Sequence, residues 1–158
     1  MSNGNLVDQV KIVNMLSTYI ALTTPITLST PQGGTIVDTK GYKEVLFTFN
    51  VFSVGTSASN IALKFQHTSS PTGALGVDIT NSIVDGSLGT AAFTTLSLTS
   101  TNRANGKMSL KVNDGTLNRY ICAYLSAEML TAGTFSIVAL LGDALSSPQA
   151  TKTVLVDP

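Results

Sequence analysis

The sequence predicts an all-β protein: an eight-stranded antiparallel β-sandwich of the jelly-roll kind, with an N-terminal arm and a C-terminal tail. Three observations predict it. Between Thr35 and Leu141, short segments rich in β-branched and aromatic residues alternate apolar with polar side chains, the period of two that a half-buried strand requires. Clusters of Gly, Asn, Asp, Ser and Pro separate these segments at the spacing of a sandwich or barrel. No segment in that stretch carries the period of an ordinary helix. Eight such strands in two packed sheets make a jelly roll. An immunoglobulin-like sandwich suits the count almost as well, although its Trp and paired Cys are missing.

Residues 1–33 read as the arm. Leu6, Val10, Val13 and Leu16 fit one face of a short helix, but Val7, Ile12 and Met15 fall off that stripe, and Ile12-Val13 with the Thr-rich continuation suits a strand. Pro25, Pro31 and Gly33-Gly34 punctuate the segment. The body, residues 34–143, opens with Thr35–Thr39 as a short strand and Asp38-Thr39-Lys40-Gly41 as a turn. Lys43–Phe52 is the strongest strand: Val45, Phe47, Phe49 and Val51 share one face, while Leu46 and Phe52 make the other partly apolar. A loop follows at Ser53–Ser59. Ile61, Leu63, Phe65 and His67 then alternate with Ala62, Lys64 and Gln66.

After the loop Thr68–Gly73, Gly76–Thr80 is a short strand, and Asn81–Gly89 reads as a long excursion. Thr90–Thr101 is a strand with Phe93, Leu96 and Leu98. Asn105-Gly106 marks a turn before Met108–Val112, and Asn113-Asp114-Gly115 another after it. Arg119–Ser126 and Phe135–Leu141, separated by Thr131-Ala132-Gly133, complete the eight. Residues 144–158 form the tail. Its Val154-Leu155-Val156 triplet is suited to adding a strand to a sheet edge.

Composition narrows the function. Nine basic residues against nine acidic leave no net charge, and only 11% of the chain is charged. The basic residues are scattered, so no patch is present to neutralise nucleic-acid phosphates. With 43% hydrophobic residues the chain is not of the disordered class. No apolar run approaches the ~20 residues of a membrane helix. A surface with little charge favours association, because little repels one copy from another. One cysteine, Cys122, excludes an internal disulfide framework. The N-terminus lacks the pattern of a signal peptide, which points to synthesis in a cytosol.

The inventory for catalysis is thin. His67 is the one histidine, at the end of an alternating strand, and reads as a half-exposed strand residue rather than a base. Cys122 lies mid-strand in an apolar run and reads as a buried thiol. The carboxylates are spread singly. Asp78 and Asp85 flank one excursion and could share a cation, but such residues more often cap turns. No phosphate-binding glycine loop or GxSxG elbow occurs. No catalytic, cofactor or metal residue is therefore assigned, and no cofactor is expected.

Four stretches carry a resemblance. The stretch Val37-Asp38-Thr39-Lys40-Gly41-Tyr42, followed by the apolar strand to Val51, resembles a pattern of head decoration (cement) proteins of tailed bacteriophages. Leu63-Lys64-Phe65-Gln66-His67-Thr68, Asn118-Arg119-Tyr120-Ile121 and Val138–Asp143 are similar to later strands of that family, with Cys122 where it commonly has a second basic residue. The resemblance implies a jelly-roll virion protein on the outer surface of a capsid, a homotrimer that bridges subunits of the major capsid protein. It would be made in the host cytoplasm and would have no nucleic-acid or membrane partner. The candidate capsid or subunit interface is Ile12, Val13, Met15, Leu16 and Tyr19 of the arm with Val154, Leu155 and Val156 of the tail. Two other readings compete: an adhesion or minor tail-fibre module that binds a host-surface ligand through its loops, and a small β-sandwich hydrolase.

Overall fold

A computed structural model of the chain describes residues 10–20, 26–28, 35–53, 59–74, 76–98, 103–113, 115–128, 133–142 and 153–157. Among them there are thirteen strands and no helix. In chain order these are β1 (Val10–Ile20), β2 (Ile26–Leu28), β3 (Val37–Asp38), β4 (Glu44–Ser53), β5 (Ser59–Thr68), β6 (Val77–Asp78) and β7 (Ser82–Val84). They continue with β8 (Ser87–Gly89), β9 (Ala92–Leu98), β10 (Arg103–Lys111), β11 (Tyr120–Glu128), β12 (Gly133–Gly142) and β13 (Thr153–Asp157).

The strands form two antiparallel sheets. In the first, β1, β12, β4 and β10 lie side by side, and the far side of β10 is shared by β13 and the β7–β8 hairpin. In the second, β11 and β5 are central, β2 and β3 flank β11, and β6 and β9 flank β5. Taking β2 with β3 and β6 with β9 as single interrupted strands, and setting aside the β7–β8 hairpin and β13, leaves eight. The first, eighth, third and sixth then form one sheet, and the second, seventh, fourth and fifth the other. That interleaving is the double Greek key of a jelly roll. The expected fold class is the observed one.

One expectation needs correcting. The eight body strands begin at Val10 rather than Thr35, because residues 10–20 of the expected arm are the first strand. β1 pairs with β12 from Val10↔Gly142 to Ile20↔Gly133, with a bulge at Met15 between Asn14↔Val138 and Leu16↔Ile137. The extra residue shifts the alternation, so Val13, Met15 and Leu16 all enter the core. A strand whose period of two is broken midway leaves apolar spacings that also fit a helix. The Met15 carbonyl at the bulge accepts the backbone N–H of Thr35 at 2.9 Å, which ties the entry to β3 onto β1.

The core lies between the sheets. Val45, Phe47 and Phe49 of β4 meet Leu63 and Phe65 of β5 and Phe93 of β9. Phe47 stacks on Phe65 with ring centroids 4.0 Å apart, and Phe49 meets Phe93 at 4.6 Å. Ile121, Ala123 and Leu125 of β11 and Ile137, Ala139 and Leu141 of β12 fill the remaining width.

Two turn assignments also change. Asn105-Gly106 is not a turn: it lies within β10, opposite Asn50 and Phe49 of β4 and Leu155 and Val154 of β13. Ladders on both sides override the local preference of the dipeptide. Conversely, Asn81–Gly89 holds the hairpin β7–β8, turned by Asp85-Gly86 with both residues at positive φ, 50° and 82°. That is the geometry an Asp-Gly pair favours. Residues 54–58, Thr131-Ala132, Asp114, Leu6, Val7, Pro25, Pro31 and Gly33-Gly34 lie outside the described residues.

Candidate functional site

Two of the four resembling stretches, 81 residues apart at Asp38 and Arg119, meet at one end of the sandwich. β3 ends at Asp38 and pairs with the start of β11, so the turn after β3 sits beside Arg119. The turn closes with Gly41 at φ 87°, a conformation that suits glycine, and with the Tyr42 N–H donating to the Thr39 carbonyl at 3.1 Å. The Asp38 carboxylate accepts the Lys40 N–H at 3.1 Å, a local Asx turn. It also accepts two hydrogen bonds from the Arg119 guanidinium, from Nε at 2.7 Å and Nη2 at 2.5 Å. The Arg119 carbonyl receives both the N–H of Thr39 at 3.0 Å and its hydroxyl at 2.6 Å. Arg119 also covers the Tyr120 ring.

The bidentate contact holds the Asp38 carboxyl at about 2, with the Lys40 amide adding to the effect. His67 lies on the adjoining strand, where its Nδ1 accepts the backbone N–H of Asn118 at 3.0 Å. Each of these hydrogen bonds closes a turn or joins one strand to another.

A second polar cluster lies on the outer face of the same sheet. Asp78 of β6 accepts Lys64 Nζ at 2.5 Å and Gln66 Nε2 at 2.7 Å, and these hydrogen bonds lower its pKa. Lys64 also lies over the Tyr124 ring at 4.6 Å. Beneath the same segment, the Cys122 thiol donates weakly to the Gln66 carbonyl at 3.7 Å, and burial pushes it up to about 11. Gly76 packs directly on this pair: a Cβ there would lie 2.7 Å from Gln66 Oε1 and 3.3 Å from Cys122 Sγ.

Cys122 and His67 do not form a pair. Cys122 stands opposite Gln66 and His67 opposite Ile121, so the strand alternation sends the two side chains to opposite faces of the sheet. Asp78 and Asp85 are also separate. Asp85 accepts the Ser109 N–H at 2.9 Å across the other sheet, far from the Lys64 and Gln66 partners of Asp78. Among the described residues no group of three His, Cys, Asp or Glu side chains could hold a metal ion.

The candidate interface residues divide. Val13, Met15 and Leu16 are buried in the chain's own core, which corrects their assignment to an interface. Ile12, on the opposite face of β1, is 69% exposed. Tyr19 stands opposite Thr134, and Val154, Leu155 and Val156 pair with Gly106, Asn105 and Ala104 of the chain's own β10. The side chains of these four lie outside the described residues. Reading the sequence alone missed the Asp38–Arg119 clasp.

No family model matches the chain, and no curated protein matches it in sequence. Solved structures do. A structure of infectious bursal disease virus, Gx strain, is similar at TM-score 0.53 and 11% identity, over 94% of this chain and 35% of that one. A T13 particle of the same virus is similar at TM-score 0.51 and 10% identity, over 94% of this chain and 34% of that one. The chain spans about a third of the length of these two proteins. The SPBc2 prophage-derived protein YomS is similar at TM-score 0.42 and 8% identity, over 84% of this chain and 91% of that one, a likeness too small to carry an argument. Strand order and the two viral structures agree on the fold: this chain is a jelly roll.

Proposed function

We propose that the protein is a non-enzymatic structural component of a virion. It decorates the outer surface of a capsid and stabilises the shell by bridging major capsid protein subunits. One observation carries this reading: a jelly-roll body, similar in fold to structures of a viral particle, in which Asp38, Arg119, His67 and Cys122 are engaged in hydrogen bonds that join strands and turns. The phage decoration-protein resemblance of Val37–Val51 and Asn118–Ile121 supplies the finer reading, including self-assembly as a trimer and an origin in the host cytoplasm. With Val13, Met15 and Leu16 taken up by the core, the interface that remains is Ile12, Tyr19 and Val154–Val156.

The test is cosedimentation of the purified protein with shells of the source virus assembled without it. The reading predicts saturable binding and a higher melting temperature of the decorated shell. Absence of binding at micromolar protein would overturn it.

A further inference from the structure

Register alone lays out the outer face of the first sheet as a lattice of rows crossing β1, β12, β4 and β10. One row is Ile12, Leu140, Leu46 and Ser109. On one side of it lies the row Val10, Gly142, Glu44 and Lys111, and on the other Asn14, Val138, Thr48 and Lys107. The inward residues of these strands, Val45, Phe47, Met108, Ala139 and Leu141, are fully buried, so the three rows point away from the core. Ile12 is exposed, and Leu46, Val138, Leu140 and Val10 are half-buried. Of these three rows only Ser109 is buried, its N–H and hydroxyl held by the Asp85 carboxylate of the β7–β8 turn. Five apolar residues thus adjoin one another on the side of a sheet that ordinarily carries polar residues.

We propose that this face is a contact between two copies of the chain, packed sheet to sheet about a two-fold axis that runs parallel to the strands between β12 and β4. The arrangement of residues argues for a second copy. That axis superposes columns, so Leu46 meets the partner copy's Leu140 and Val138 meets its Thr48. Each charge meets a neutral residue: Glu44 the partner's Gly142, Lys111 its Val10, and Lys107 its Asn14. No like charges face one another, and the chain has no net charge to drive copies apart.

Four strands ~4.8 Å apart and three rows ~6.8 Å apart give roughly 400 Å² in projection, about half the area each partner contributes to a standard interface. The contact is therefore weak in solution and gains strength where copies are already concentrated. It rests on the self-association in the reading above and does not depend on the shell. Any three-fold contact uses another surface.

The test is sedimentation equilibrium of the full chain up to ~1 mM, with Leu46→Glu, Leu140→Lys and Ile12→Asp. The three positions face outward, and far-ultraviolet circular dichroism with urea midpoints verifies the fold of each variant. The wild type is expected to show a reversible pairwise association through this face in addition to the trimer of the reading above. Each single variant is expected to weaken dimerisation at least tenfold. Mixing Leu46→Glu with Leu140→Lys is expected to restore it, because the mixed pair keeps one leucine contact and gains one of opposite charge. A wild type that stays monomeric overturns both this contact and self-association. A trimer indifferent to all three substitutions overturns this contact and leaves self-association standing.

Discussion

Met15→Ala separates a first body strand from a free arm. Met15 is 1% exposed and sits at the bulge of β1, while Ile12, three residues earlier, is 69% exposed. Burying a methionine side chain contributes about 1.5–3 kcal/mol, and truncation adds the cost of the cavity left behind, so the substitution should destabilise by about 2–5 kcal/mol. Bulged edge strands relax more easily than central ones, which favours the lower half of that range. Against a total of about 5–15 kcal/mol this is a large fraction. At about 2–4 °C per kcal/mol for a chain of this size, the melting temperature should fall by roughly 5–15 °C. Ile12→Ala removes an exposed side chain and should stay within about 0.5 kcal/mol. Urea unfolding followed by tyrosine fluorescence and circular dichroism reads both, with an unchanged dependence on urea as the check that only stability has moved. Equal, near-zero effects of the two substitutions would refute the placement of β1 in the core.

Other consequences follow from the same contacts. Asp38 has its pKa lowered to about 2 by Arg119, and Asp78 has its pKa lowered by Lys64 and Gln66. Such depressed carboxylates stabilise the fold fully above the unfolded value of ~3.9, and that contribution fades as pH falls from there through the folded value. The urea midpoint of the wild type should therefore drop between about pH 4 and 2, and Asp38→Asn should flatten the part of the drop that belongs to the clasp. Phe47→Ala and Phe65→Ala should each cost about 3–5 kcal/mol, and Phe47→Leu with Phe65→Leu in a double-mutant cycle should show a coupling of about 0.5–1.5 kcal/mol for the stacked pair; independent effects would place the rings apart. Gly76→Ala forces its Cβ into Gln66 and Cys122, at an expected cost of about 1–3 kcal/mol. Cys122 should resist iodoacetamide in the native protein at neutral pH and react faster in Gly76→Ala; rapid labelling of the wild type would contradict its burial.

Much of the fold was legible because β4, β5, β11 and β12 are long, central and rich in apolar residues, so local pattern and tertiary burial agree. The misreadings sit where that agreement breaks. The bulge at Met15 hid the first strand behind a helix-like spacing. Asn105-Gly106 reads as a turn in isolation, yet it is straightened by ladders to β4 and β13. The β7–β8 hairpin has three-residue strands, too short for periodicity to register, and its Asp85-Gly86 turn was passed over within the expected excursion. Leu46 could be seen as an apolar residue on the wrong side of a strand and was read as central packing. Only the pairing of β4 with β12 shows that Leu46, Leu140 and Ile12 share one outer row. The Asp38–Arg119 clasp was out of reach, since a contact between residues so distant in sequence leaves no local trace.

On the proposed reading, the protein contributes by being present in number on the particle. The most direct measurement is quantitative mass spectrometry of purified virions of the source, with this chain counted against the major capsid protein. The account predicts a high copy number in a simple fixed ratio to the capsid protein, reduced when intact particles are treated with a protease that spares the shell. Absence from the particle, or only a few copies at one vertex, would contradict it.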